Sequence, residues 1–166
     1  RKIAAMNGIQ YATYCSGGSV WFTKNDGTGW SAEKTVYLGT TARNSSIAVA
    51  YEAPYIAIHI VWDFDYVDIG QTTRRVGYMK STDDGAHWTG RTLIYGEPAG
   101  TDIYPVVTAS PSGAIAIWKY SAYPGGGLIA KPLPLLDGAV APYTVLRGTG
   151  VNTGIPSVDN FKVVYN

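Results

Sequence analysis

The chain has 166 residues, 46% of them hydrophobic, a formal charge of +1 and a pI near 8.0. That is enough apolar material for the core of one domain, and the scattered charge supplies no basic stripe for nucleic acid or an anionic membrane. A single cysteine, Cys15, excludes an internal disulfide and a cysteine-rich zinc site, and no apolar run is long enough to span a membrane as a helix.

Tyr, Trp and Gly are abundant while Glu, Lys and Met are few, which predicts an all-β fold. In chain order, Lys2–Met6 and Ile9–Tyr14 flank Asn7-Gly8, a dipeptide suited to a tight hairpin turn. Ser19–Thr23 and Lys34–Leu38 follow around a turn at Asn25–Gly27, so four strands fill about residues 1–40. The order returns within about 44–96 as Ser46–Ala50, Tyr55–Trp62, Arg75–Ser81 and Arg91–Tyr95. It returns again within about 101–148 as Pro105–Thr108, Ala114–Trp118, Leu128–Lys131 and Tyr143–Leu146. Ile155–Val158 and Phe161–Tyr165 open a fourth unit over about 155–166.

Trp62 and Trp118 are 56 positions apart and Trp30 and Trp88 are 58 apart, consistent with one period. Four-stranded antiparallel units repeating at this interval predict β-propeller blades, here about three and a half of an incomplete ring. Open strand edges and an uncovered blade face then require further blades, from a longer chain or by self-association.

Within this repeat Ser81, Asp83, Gly85 and Trp88 follow the pattern Ser/Thr-x-Asp-x-Gly-x-x-Trp, and Thr23, Asn25, Gly27 and Trp30 follow it with Asn for Asp. Hydroxyl and carboxylate groups at this spacing hold backbone amides in a turn, the glycine takes positive φ, and the tryptophan covers the hairpin and packs between blades. These are structural roles. The third unit has no such pattern around Lys131–Gly138. The chain thereby resembles the Asp-box (bacterial neuraminidase repeat) propellers, the group that includes sialidases. The resemblance implies that the boxes lie opposite the functional face.

In blades of alternating strands, the loops joining second to third strands share a face with the crossovers between blades. On that face the expected loop 63–74 is the longest. It brings together Asp63, Asp65, Asp68, Tyr66, Arg74 and Arg75, able to hydrogen-bond sugar hydroxyls or pair with a carboxylate. The loop 121–127 adds Tyr123 as a stacking surface, and Arg43, Glu97, Asp102 and Asn152 fall in crossovers. The same acids and arginines equally suit a solvated polar rim. Asp63, Asp65 and Asp68 could also offer oxygens to calcium, although the glycine and terminal glutamate of an EF-hand loop are missing; no other metal or cofactor is expected. His59, alternating within an apolar strand, reads as a satisfied core histidine, and His87 as an exposed turn residue.

The resemblance implies three functions. The favoured one is a carbohydrate-recognising propeller, extracellular or at the cell surface. The second is a sialidase-like exo-glycoside hydrolase of which this chain is a part, and the third a structural assembly module without ligand. Sialidases use an arginine triad, a tyrosine nucleophile with a glutamate, and an aspartate acid/base. This chain lacks the Phe/Tyr-Arg-Ile-Pro motif, since Ile155-Pro156 follows Gly154, and its arginines cannot be mapped onto the triad; no catalytic set is identifiable in it.

Overall fold

The computed structural model describes residues 2–68, 70–94, 100–120, 127–133 and 144–147. Tyr123, Glu97, Asn152 and the strands expected after 155 lie outside the described residues, and of Asp68 only the backbone is described.

Among the described residues, twelve strands form three four-stranded sheets, each an antiparallel meander. The first holds β1 (Lys2–Met6), β2 (Ile9–Ser16), β3 (Ser19–Asn25) and β4 (Lys34–Tyr37). The second holds β5 (Arg43–Glu52), β6 (Tyr55–Asp68), β7 (Gln71–Ser81) and β8 (Thr92–Ile94). The third holds β9 (Asp102–Ser110), β10 (Gly113–Tyr120), β11 (Gly127–Leu133) and β12 (Thr144–Arg147). No helix occurs among the described residues.

Alternation along each strand places the two faces of a sheet against different neighbours. On β6, Ile58, Ile60, Trp62 and Phe64 join Tyr11, Val20, Phe22 and Val36 of the first sheet in one core. From the opposite face of the second sheet, Val61, Val76, Tyr78 and Ile94 join Ala114, Ala116, Trp118 and Ile129 of the third in another. Each fully buried large side chain contributes about 1.5–3 kcal/mol. The sheets therefore stack as successive blades, with β5 beside both β1 and β9, so the first strands gather on one side of the stack.

Strand limits differ most at one place. The stretch 63–74, expected as a loop, is mostly strand: β6 and β7 pair from Ile58↔Ser81 out to Asp68↔Gln71, and only a tight turn separates them. The physical reason is alternation carried on by Phe64 and Tyr66, with Asp65 opposite Arg74 across the pair. The candidate site residues of this stretch therefore sit on a rigid two-stranded arm.

Candidate functional site

The arm ends at the same side of the stack as the starts of β5 and β9. Both of those strands begin with a bulge: the register shifts between Arg43 and Ser46 in β5, and opposite Ile117–Lys119 in β9. Asn44 and Tyr104 in these bulges take left-handed backbone, φ 48 and 56. Asparagine tolerates that region; for tyrosine it costs about 1–2 kcal/mol.

Both bulges point at one carboxylate. Asp63 is fully buried, and its Oδ2 accepts hydrogen bonds from Asn44 Nδ2 at 2.8 Å and from the Tyr104 amide at 2.9 Å. Its Oδ1 accepts from Arg74 Nη2 at 2.9 Å. Burial pushes its pKa up, against the opposing effect of the Asn44 and Tyr104 donors and of Arg74. Asp63 thus ties the first strands of the second and third sheets to the arm, and all its contacts are internal.

Arg75 is likewise internal. Its guanidinium donates to the Gly100 carbonyl and to Asp102 Oδ2 at 3.1 Å, and Asp102 Oδ1 accepts from Trp118 Nε1 at 2.6 Å. Arg75 and Asp102 are both buried. The expectation that Arg75 lines the accessible face is corrected: it is a bolt between the second and third sheets, because its buried guanidinium is taken up by the Gly100 carbonyl and by Asp102 at the start of β9.

Solvent reaches a smaller group. Asp65 accepts both guanidinium nitrogens of Arg43, at 3.1 and 3.4 Å, and lies 3.8 Å from Arg74 Nε. The Arg43 side chain is 49% exposed, those of Arg74 and Asp65 about a quarter. The Asp65 backbone is fixed by its amide donating to Thr41 Oγ1 at 3.1 Å. Tyr66 is half-buried, edge-on to Phe64. One guanidinium fork, that of Arg43, closes on the Asp65 carboxylate with the Arg74 guanidinium close by, so donors and an acceptor are presented in fixed geometry; Tyr66 lies on the other face of the strand, with Phe64. Sequence reading named Asp65, Tyr66, Arg74 and Arg43, but missed Asn44 and Tyr104; the signal available was an asparagine directly after Arg43, where a strand begins with a bulge.

At the opposite side of the stack are the two box turns. Ser81 Oγ accepts the Gly85 amide at 2.9 Å and donates to Asp83 Oδ1 at 2.8 Å, and Asp83 Oδ1 also accepts the His87 amide at 2.9 Å. In the first sheet Asn25 Oδ1 accepts the Gly27 and Gly29 amides at 2.9 and 3.2 Å. Asp83 is held well below the usual carboxylate range by the backbone and ring donors of His87 and by Ser81. His59, also on this half of the second sheet, is bonded at both ring nitrogens, to Tyr78 Oη at 3.0 Å and Glu52 Oε1 at 2.9 Å, and Lys80 closes on the same Glu52.

No family model matches the sequence, and no curated protein does. Among solved structures the chain is similar to the Hadza microbial sialidase Hz136, with a TM-score of 0.57 over 87% of this chain at 12% identity. The fold is that of a β-propeller. The three described sheets are blades 1, 2 and 3, and they do not close into a ring. The chain spans 36% of the length of that sialidase. No helix among the described residues is long and apolar enough to cross a membrane.

Proposed function

We propose that this chain is a carbohydrate-recognising propeller segment of the Asp-box type, working extracellularly or at the cell surface, and that it binds an anionic glycan at the rim formed by Arg43, Asp65 and Arg74. The observation that carries the reading is the exposed Arg43 guanidinium held on Asp65, with the partly exposed Arg74 3.8 Å from the same carboxylate. A ligand carboxylate can take the place of Asp65 on the Arg43 fork, while Asp65 accepts from sugar hydroxyls. Likeness in fold to a sialidase supports a glycan as the ligand class, and the box turns support the Asp-box assignment.

Hydrolysis is the second reading, favoured by the same likeness. It requires further groups at the rim, because Asp63 is sealed and Asp65 is the solvent-accessible carboxylate among the arm residues described.

The test is calorimetric titration with sialyllactose and with lactose at low salt. Saturable binding of sialyllactose is expected, weakened about tenfold or more in Arg43→Ala, since a charge-assisted hydrogen bond contributes about 1.5–3 kcal/mol. Absence of saturable binding by either sugar at millimolar concentration refutes the reading. Turnover of a fluorogenic sialoside by the same sample favours hydrolysis instead.

A further inference from the structure

The rim carries an anion of its own. Arg43 pairs with Asp63 across β5 and β6, so Asp65, two residues further along β6, stands past the start of β5, where the Arg43 side chain reaches it. Nη2 meets Oδ2 at 3.1 Å and Nη1 meets Oδ1 at 3.4 Å. This is the bidentate geometry in which arginine holds any carboxylate, a ligand's included. The backbone under Asp65 is pinned by one hydroxyl: Thr41 Oγ1 accepts from the Asp65 amide at 3.1 Å and donates to the Asp65 carbonyl at 3.4 Å.

The second guanidinium does not free the first. Arg74 Nη2 is committed to the buried Asp63 at 2.9 Å, and its Nε, 3.8 Å from Asp65 Oδ1, makes no hydrogen bond. Two guanidinium groups thus stand with two carboxylates, and with both acids ionised their charges cancel. An incoming carboxylate finds no excess positive charge here. It gains the Arg43 fork by displacing Asp65, and exchanging one carboxylate for another on the same fork yields nothing unless the displaced side chain receives new donors. A bare carboxylate brings none, whereas a sugar acid brings hydroxyls on neighbouring carbons.

We propose that Asp65 is the specificity-determining residue of this rim: an internal stand-in for the ligand's carboxylate, which turns away bare carboxylates and admits polyhydroxylated sugar acids whose hydroxyls bond the displaced side chain. The inference rests on the reading of the rim as an anionic-glycan site.

The test has a readout that needs no sugar. p-Hydroxyphenylglyoxal modifies free guanidinium groups, and peptide mass spectrometry gives the rate at Arg43, with Arg91, exposed and bonded to Tyr37 Oη at 2.9 Å, as reference in the same digest. In Asp65→Asn, whose amide oxygen still accepts from a hydroxyl, Arg43 is expected to react several-fold faster relative to Arg91. Calorimetry should show sialyllactose bound about tenfold tighter, because the fork no longer holds a charge-assisted bond that must be broken. A molar excess of propionate should displace sialyllactose from the variant but not from the wild type. Asp65→Ser, too short to reach the fork, should move each readout the same way, and circular dichroism verifies both folds. Unchanged Arg43 reactivity in both variants overturns the stand-in. Weaker sialyllactose binding in both does so too, since Asp65 is then a ligand contact only, and equal displacement by propionate from wild type and variants overturns the selectivity. Faster Arg43 modification with no sugar bound by any of the three proteins upholds the stand-in and overturns the glycan reading alone.

Discussion

Gly85 offers a test of how the second box joins two blades. It has φ +77, and a Cβ built on it runs into Cε1 of Phe22 and lies 2.9 Å from Cζ. Gly85→Ala therefore carries two penalties, left-handed backbone at about 1–2 kcal/mol and overpacking against a buried ring at about 1–3 kcal/mol. The total is about 2–5 kcal/mol, a sizeable part of the 5–15 kcal/mol typical of a domain. The two terms separate in a double-mutant cycle with Phe22→Leu, because the backbone term is the same in both backgrounds and the overpacking term needs the ring. Urea unfolding followed by tryptophan fluorescence gives the four free energies. The cycle is expected to show Gly85→Ala less harmful by about 1–3 kcal/mol once the ring is gone. Additivity within about 0.5 kcal/mol would refute the packing of this turn on blade 1.

Two further outcomes follow from buried polar groups. Asp102→Asn weakens the bonds from Arg75 and Trp118 and should cost about 1.5–3 kcal/mol, read as a lower thermal midpoint; an unchanged midpoint refutes the bolt between blades 2 and 3. Burial lowers the pKa of His59, and Glu52 is lowered too, its burial outweighed by bonds from His59 and Lys80. In both cases the unfolded chain binds more protons than the folded one, so stability is full above about pH 6.5 and falls on acidification, first through His59 and then, below about pH 4.5, through Glu52. Thermal midpoints measured from pH 8 to 4 should show this decline, and His59→Gln should flatten its upper part; a midpoint that rises on acidification between pH 7 and 5 contradicts the assignment.

What was legible in the sequence was local. Asn7-Gly8 announced its turn, and both residues take the positive φ that it requires. The box residues announced theirs, and their side chains hold the amides that the spacing implied. Equal spacing gave equal turns but not equal burial. Trp88 is packed and Trp30 exposed, because burial of a box tryptophan depends on what packs against its turn, as Phe22 of the first sheet does against Trp88. The arm was misread for a different reason. Polar residues on both sides of 63–74 look like a loop when read singly, whereas as cross-strand pairs, Asp65 with Arg74 and Tyr66 with Thr73, they make a ladder.

The division of labour among the acids follows from the same non-local geometry. Asp63 and Asp65 are two positions apart on one strand and so face opposite neighbours only through what packs around them, not through their own alternation. Asp63 lies where the bulges of β5 and β9 converge, so its oxygens are filled by Asn44, the Tyr104 amide and Arg74. Asp65, one pleat further out, has passed the starts of both strands and meets the half-exposed Arg43 instead. A sequence shows two equivalent carboxylates. The fold makes the inner one a joint between blades and leaves the outer one, with its two guanidinium neighbours, as the group that a ligand can reach.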